Sequence, residues 1–494
     1  MNVLMRLARR ARARRRAPGA PYAAALGAAA LAVAGLVLVQ PPPATGAPPS
    51  PPPSASPPAS PSAPTQAATS APATTLRQGP LTARVQLSQG AVMTGADRLA
   101  MTLELTADDV DVERPPVSLA LVLDVSGSMS GEKLGQAKRA VTDTVARMRD
   151  GDQLALITYD STSRVVVPLG PVGARRGAIA AAVTRIAAGG GTQIPDGLAL
   201  GERALRDAPD AHVRRIVLVS DGIDGSGLGP DGVGALVRGW TPRGVSVASL
   251  GIGLDYDERF LTAVADAGRG AYAFLQSGAE LEPFLVKELD RAGSTVAENV
   301  AIDLAFAGDL RITAAHGAEV QPGSTRVPFG PMAAGETRLV VLEIASRAER
   351  AGPLGDVRAS LRFRDRAGDV PAAIEGAPLS LVAVGDAAAV EASRDPATWA
   401  QAEAIRLERE QARAIERWRA GDGAAAAALA TSNAAGLREL QAHHDSPWIR
   451  QQLAEVEADA ERFERMPAAS AEGRAYGLRS NARRRARVQT GVYQ

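Results

Sequence analysis

The segment from Asp124 to Ser128 carries side chains that can bind a hard cation. Asp124, Ser126 and Ser128 place one carboxylate and two hydroxyls at alternate positions of a short loop that also contains Gly127. Oxygen ligands of this kind suit Mg²⁺ and Ca²⁺, whereas softer metals prefer sulfur. A loop of this composition can equally close a turn or cap a helix, because Asp and Ser side chains readily accept backbone hydrogen bonds. The segment alone therefore leaves both interpretations open.

Two more distant loops bring further oxygen atoms. Thr192 follows the glycines at 189–191, and Asp221 follows the apolar run Ile216–Val219 by two positions. Open α/β sheets place their ligands where parallel strands end, so loops at several strand ends are expected to converge. The combination favours a metal site over an ordinary turn. The predicted metal ligands are Asp124, Ser126, Ser128, Thr192 and Asp221.

The region that must position these loops, roughly residues 115–292, alternates apolar strands with amphipathic helices. Leu119–Leu123 is continuously apolar, as in strands that crossover helices cover on both faces. The pattern predicts an α/β fold, a doubly wound Rossmann-like domain. The predicted strands are 117–123, 153–159, 164–168, 215–219, 245–251 and 271–275. The predicted helices are 132–148, 175–187, 196–207, 231–240, 257–265 and 279–291.

Sequences on both sides of this region show the period-2 alternation of half-buried strands. Examples are Met101–Leu105 before it and Arg338–Ile344 after it. We predict one β-sandwich, formed by residues 79–114 and 293–385, into which the α/β domain is inserted. Such an insertion is geometrically easy because the ends of a domain commonly lie close together.

The N-terminal residues 1–40 have the pattern of an export signal or a membrane anchor. An arginine-rich stretch precedes the apolar run 22–39, and a Pro-, Ala- and Ser-rich linker over 41–78 follows it. The apolar run is close to the length of a membrane-spanning helix but rich in alanine, so both a retained anchor and a cleaved signal stay open. In either case the folded part is expected outside the cytoplasm.

The C-terminal part has two compositions. Residues 393–465 have helical spacing of Ala, Glu, Arg and Leu, which predicts two or three packed helices. Residues 466–494 include Arg483–Arg485 and Arg487, and their composition predicts a disordered basic tail.

The order of the three loops resembles the von Willebrand factor A domain family. The Asp-x-Ser-x-Ser pattern at 124–128, the Gly-Gly-Thr at 190–192 and Asp221-Gly222 match that family's metal-ion-dependent adhesion site over roughly residues 115–292. The resemblance implies that Ser126, Ser128 and Thr192 bind Mg²⁺ directly, or Mn²⁺ or Ca²⁺, while Asp124 and Asp221 act mainly through water. It also implies that an Asp or Glu of a protein partner completes the coordination and that the helix at 279–291 can shift.

Composition narrows the function classes. The chain has no cysteine and only four histidines, none spaced as zinc ligands, and its net charge is +1. Thiolate chemistry is therefore excluded, and no nucleic-acid partner is expected. No G-x-S-x-G elbow or phosphate-binding G-x-x-x-x-G-K-[ST] loop occurs, so we expect no enzyme.

The functional prediction is metal-dependent protein binding, for adhesion or for assembly of an envelope complex. One alternative is a structural scaffold of the cell envelope in which the metal only stabilises the domain. A hydrolytic enzyme that uses Ser126 or Ser128 is the third possibility. Asp224 and the following glycine-rich residues 225–229 are expected to form a surface loop rather than part of the ligand set. A contribution of this loop to a partner surface is a less favoured alternative.

Overall fold

The computed structural model describes residues 70–110, 114–365 and 369–490. Its first strands are β1 (Ala73–Gln78), β2 (Leu81–Leu87), β3 (Ala91–Met93) and β4 (Gly95–Ala107). The predicted linker over 41–78 is wrong for its last residues, because these form β1. Thr74 and Leu76 are buried while the residues beside them in β1 are exposed or half-buried. This alternation is typical of a strand with one covered face, and the neighbouring low-complexity composition masked it.

The α/β region follows β4. Its strands are β5 (Val117–Asp124), β6 (Gln153–Tyr159), β7 (Ser163–Val167), β8 (Val213–Ser220), β9 (Val245–Ile252) and β10 (Arg269–Leu275). Its helices are α1 (Glu132–Arg147), α2 (Arg176–Thr184), α3 (Ile194–Ala204), α4 (Gly229–Arg238), α5 (Glu258–Gly268) and α6 (Leu281–Gly293). The predicted strands and helices all correspond to these elements. The bounds of β6 are as predicted, and each of the other elements has at least one shifted end.

The strands of this region form one sheet in the order β10-β9-β8-β5-β6-β7. All neighbours are parallel except β6 and β7, which form an antiparallel edge. Leu121 belongs to a core with α1, α2 and α6 on one face, whereas Val122 belongs to a core with α3, α4 and α5 on the other. Because both faces are covered, the fold is the predicted doubly wound α/β type.

The sandwich strands resume after α6. They are β11 (Thr295–Phe306), β12 (Leu310–His316), β13 (Arg326–Ala333), β14 (Thr337–Ala348), β15 (Gly352–Asp365), β16 (Ile374–Glu375) and β17 (Leu379–Val384). One sheet has the order β1-β2-β4-β14-β12 and the other β13-β11-β15-β17-β3, with β16 beside β15. β4 pairs with β14 along its length, from Gly95 with Ala348 to Thr106 with Thr337. Strands from both sides of the α/β region thus share each sheet and one hydrophobic core, as an insertion requires.

The C-terminal helices are α7 (Ala387–Ala392), α8 (Pro396–Arg419), α9 (Gly423–His443), α10 (Pro447–Arg465) and α11 (Ala471–Thr490). Leu339 and Val341 of β14 join the apolar core of α8, α9 and α10, so this helical segment covers the outer face of one sandwich sheet.

The predicted disordered tail over 466–494 is wrong for α11. Leu478 joins the α/β core, and Arg484 is 5% exposed and forms ion pairs with Glu408 and Asp459. The basic composition suggested a solvated segment, but buried carboxylates of α8 and α10 neutralise its charge.

The predicted signal or anchor over 1–40 and most of the 41–78 linker lie outside the described residues. Along the ranges that the structure describes, no helix has both the length and the apolar character needed to cross a membrane.

Candidate metal centre

The site lies at the carboxyl ends of β5 and β8, which are neighbouring parallel strands. Leu123 pairs with Val219, so Asp124 at the end of β5 and Asp221 just after β8 leave the sheet side by side. The chain runs from β5 outward to β6 and β7, and then returns to β8 on the other side of β5. This reversal of strand order opens a crevice, which is the usual ligand position in doubly wound folds.

Asp124 is fully buried and is held by donors of the protein itself. Its Oδ1 accepts a hydrogen bond from the backbone N–H of Ser126 at 2.8 Å, and its Oδ2 accepts one from the Ser220 hydroxyl at 3.0 Å. Burial raises the pKa of the Asp124 carboxyl above its ordinary value, and the hydrogen bonds from Ser126 and Ser220 oppose that rise. Asp124 is therefore a rigid acceptor that shapes the loop.

The two loop serines connect to Asp221 through a chain of hydroxyls. Ser126 Oγ lies 3.0 Å from Ser128 Oγ, and Ser128 Oγ donates to Oδ1 of Asp221 at 2.7 Å. The second carboxylate oxygen of Asp221 accepts a hydrogen bond from Nζ of Lys133, in the first turn of α1. Asp221 is fully buried, so Lys133 supplies the positive charge that its carboxylate needs.

Backbone hydrogen bonds join the Thr192 loop to the first loop. Gly127 donates to the carbonyl of Gly190 at 3.1 Å, and Gly189 donates to the carbonyl of Val125 at 2.8 Å. Gly190 has a φ of +79°, in the left-handed region that glycine adopts without strain. The glycines that precede Thr192 thus let two backbones approach closely.

The position of Gly222 shows that Thr192 faces the same point as Ser128. A Cβ atom at Gly222 would lie 3.2 Å from Thr192 Oγ1 and 3.6 Å from Ser128 Oγ. Glycine after Asp221 therefore leaves the two hydroxyls a common space. The structure brings together all the residues predicted as ligands, which are Asp124, Ser126, Ser128, Thr192 and Asp221.

Three residues of the site were missed at the sequence level, namely Lys133, Ser220 and Tyr159. Tyr159 is buried, and its hydroxyl donates to the carbonyl of Val219 at 2.9 Å, which ties the ends of β6 and β8 across β5. Burial raises the pKa of the Tyr159 phenol well above its ordinary value, so the phenol stays protonated. Ser220 could have been noticed because it directly precedes Asp221, whereas the role of Lys133 depends on how α1 packs.

The loop after Asp221 forms the rim of the site. Asp224 accepts a hydrogen bond from the backbone N–H of Ile194 at 3.0 Å and another from that of Ser226 at 3.1 Å. These bonds place Asp224 in the predicted surface loop and attach that loop to the start of α3. Ile223 is 67% exposed and Leu228 is 42% exposed, so the rim carries apolar surface next to the cluster.

Comparison with known proteins shows which family model and which relatives this region of the chain matches. Residues 119–223 match the family model of the von Willebrand factor type A domain, a span that contains all the predicted ligands. The chain is 29% identical over 214 residues to the uncharacterized protein YfbK of Escherichia coli, which covers 42% of this chain and 37% of that protein. It is 32% identical over 225 residues to the uncharacterized protein sll0103 of Synechocystis, which covers 44% of this chain and 52% of that protein. The matched region thus spans about half or less of these relatives.

Two solved structures resemble the fold over a larger part of the chain. A von Willebrand factor type A protein from Catenulispora acidiphila aligns with a TM-score of 0.60 at 19% identity, covering 83% of this chain and 98% of that one. The ArnB paralog VWA2 from Sulfolobus acidocaldarius aligns with a TM-score of 0.58 at 14% identity, covering 83% of this chain and 99% of that one. At these identities the likeness concerns the fold.

Proposed function

We propose that this chain is a divalent-metal-dependent protein-binding protein, because residues 119–223 match the family model of the von Willebrand factor type A domain. Domains of this family commonly mediate protein interactions. The observation that carries the proposal is the meeting of Ser126, Ser128 and Asp221 at the switch point of the sheet, with Thr192 beside them.

The residues present fit a hard divalent cation. The donors are hydroxyl and carboxylate oxygens, which Mg²⁺ prefers, and the missing side chain at Gly222 keeps the space between Ser128 and Thr192 open. By the family resemblance, Ser126, Ser128 and Thr192 would hold the ion directly, and Asp124 and Asp221 would hold it mainly through water. When bound, the ion would supply an incompletely neutralised positive charge that an Asp or Glu of a partner can approach.

The protein's own contacts support this use, because they fix the donors before a ligand arrives. Asp124 is held by Ser126 and Ser220, and the carboxylate of Asp221 is oriented by Ser128 on one oxygen and by Lys133 on the other. Such fixed donors cost little additional ordering when a ligand binds.

Two features favour a binding role over hydrolysis. The hydroxyls of Ser126 and Ser128 contact each other and Asp221, and no contact joins them to a histidine within the described residues. The exposed Ile223 and Leu228 beside the site give a partner apolar surface to cover. The proposed partner is therefore a protein whose Asp or Glu enters the site while neighbouring apolar residues contact this rim.

We place this activity outside the cytoplasm, on the exported or membrane-anchored part of the chain. That part of the proposal rests on the arginine-rich and apolar segments within residues 1–40. Adhesion and assembly of an envelope complex both fit such a location.

A pull-down from envelope extract tests the function. Full-length wild type and Asp124→Ala are compared in Mg²⁺ and in EDTA, with Asp143→Ala as the control because Asp143 is exposed on α1. Partners that are lost in EDTA and with Asp124→Ala, but kept with Asp143→Ala, support metal-dependent binding. Thr192→Val is a second variant, because Thr192 is only half-buried and its loss leaves the buried carboxylates in place.

Partners kept under all conditions would contradict the proposal and favour the scaffold, in which the metal only stabilises the domain. A thermal unfolding curve of each variant shows whether a lost partner reflects a lost fold.

A further inference from the structure

One cavity of the structure includes none of the residues of the metal centre in its lining. The cavity has a volume of about 630 Å³ and is lined by residues of α5, the β12–β13 region, α8 and α11. It therefore lies where the α/β region, the sandwich and the helical segment meet. Its volume falls in the range of small-molecule sites, which is about 300–1,000 Å³.

The lining of this cavity is strongly basic. Eight arginines but only three carboxylates, Asp266, Glu319 and Glu408, line it. The carboxylates that lie behind the lining are shared, since Glu336 pairs with both Arg291 and Arg338. Shared carboxylates leave an excess of positive charge, and a partly enclosed space strengthens its effect on an anion.

Among the described residues, Arg269 is the arginine of the lining that forms no ion pair with a carboxylate. Its side chain forms no hydrogen bond or ion pair with any residue that the structure describes, although seven other arginines of the lining have acidic partners. Its stem packs against Gly330, where a Cβ would lie 2.9 Å from that of Arg269. Burial, followed by the charge of Arg326, lowers the pKa of Arg269 to about 10 against the opposing charge of Glu319, so the side chain still carries its charge at neutral pH.

Several other donors of the lining are unsatisfied. The buried Nε atoms of Arg238, Arg484 and Arg485 have no hydrogen-bond partner within the described residues. A buried donor without a partner lowers stability, because it has lost its water without gaining an acceptor. An oxygen-rich anion would provide the missing acceptors.

We propose that this cavity binds a small, multiply charged oxyanion, with Arg269 as its principal contact. The guanidinium group is a planar fork of N–H donors that matches two oxygens of a phosphate or a carboxylate. The ligand class is thus a small molecule that carries at least two phosphate or carboxylate groups. This inference does not depend on the metal centre.

Calorimetric titration of the full-length protein tests the proposal, with pyrophosphate and citrate as probes and EDTA present. We expect saturable binding to wild type and about tenfold or more weakening in Arg269→Asn. Asparagine is chosen because Arg269 has a φ of 55°, a left-handed conformation that asparagine tolerates. The matched control is Arg203→Met, which removes an exposed arginine of α3 and should bind as wild type.

Arg409→Gln keeps the proposal testable if Arg269→Asn fails to fold. Arg409 is half-exposed at the cavity, and its ion pair with Glu343 is long, at 3.9 Å. Its loss should therefore keep the fold and weaken anion binding by a smaller factor than Arg269→Asn. Stronger binding of pyrophosphate would identify a phosphate compound and stronger binding of citrate a carboxylate compound, and either supports the site. Absence of saturable binding of both probes up to about 10 mM, or wild-type affinity in both cavity variants, would overturn it.

Discussion

The hydroxyl of Ser128 donates a hydrogen bond to Oδ1 of Asp221 at 2.7 Å and so joins two loops whose residues are 93 positions apart in the chain. The contact exists because β5 and β8 are adjacent parallel strands that end at the same edge of the sheet. It gives the proposed metal centre a fixed carboxylate before any ion binds.

Lys133→Met should increase the affinity for Mg²⁺. The Lys133 ammonium already balances the buried carboxylate of Asp221, so it opposes a second cation at the same site. Its removal should tighten Mg²⁺ binding about five- to tenfold, and should lower the melting temperature of the metal-free protein more than that of the Mg²⁺-loaded protein. Titration calorimetry and thermal unfolding measure both effects. Lys138→Met on the same helix is the control, and an unchanged or weaker Mg²⁺ affinity in Lys133→Met would refute this role.

Gly222→Ala should weaken metal binding without a large loss of stability. The new methyl group would lie 3.2 Å from Thr192 Oγ1 and 3.6 Å from Ser128 Oγ, so it would occupy the space between the two hydroxyls. We expect about a tenfold loss of Mg²⁺ affinity. Gly151→Ala is the matched control, because nothing lies within 4 Å of its added methyl group. Equal Mg²⁺ affinities of the two variants would show that the ion does not use this space.

The sequence was informative where one local pattern determines the outcome. Continuous apolar runs such as Leu119–Leu123 indicated buried parallel strands, and strand β6 has the predicted bounds Gln153–Tyr159. The loops with Asp124 and Asp221 could be assigned to strand ends for the same reason. The expectation of a strand end was wrong for Thr192, which lies in the loop that joins α2 to α3.

Contacts between distant elements could not be predicted in this way. Lys133 resembles any exposed helix residue in the sequence, and only the packing of α1 on one face of the sheet brings its ammonium to Asp221. Arg484 lies in a run of arginines that is typical of a solvated tail. In the structure its side chain is buried and forms ion pairs with Glu408 and Asp459. Charge in a sequence indicates solvent exposure only when no opposite charge is available inside the fold.

Glu336 should make the protein sensitive to acid. Burial opposes ionisation of its carboxyl, but the charges of Arg338 and Arg291 and the backbone N–H of Ala333 lower its pKa to about 2, below the ordinary 4.5. A lowered pKa stabilises the fold above pH 4.5, and that contribution is lost as the pH falls from about 4.5 to 2. Its size is on the order of 3 kcal/mol.

Glu336→Gln tests this expectation. The variant should melt at a lower temperature than wild type at pH 7, and the difference should shrink between pH 4.5 and 2. The exposed Glu439→Gln serves as control. An unchanged difference across that pH range would show that the carboxylate of Glu336 does not contribute through its ionisation.

Arg484→Met should destabilise the C-terminal region by about 3 kcal/mol, because it leaves the buried carboxylates of Glu408 and Asp459 without this cation. Urea unfolding measures the loss, and limited proteolysis should show earlier cleavage within 471–490. The neighbouring Arg483→Met should have little effect, since Arg483 is exposed. If the two variants behave alike, α11 does not pack through Arg484.

A calorimetric titration with Mg²⁺ shows whether this domain binds a divalent metal through its hydroxyls. The comparison is between wild type and the double substitution Ser126→Ala with Ser128→Ala, after thermal unfolding has shown that both are folded. We expect one Mg²⁺ bound per wild-type chain and at least about a hundredfold weaker binding in the double variant. Wild-type protein that binds no divalent metal, or a double variant that binds Mg²⁺ as tightly as wild type, would rule out metal binding through these hydroxyls.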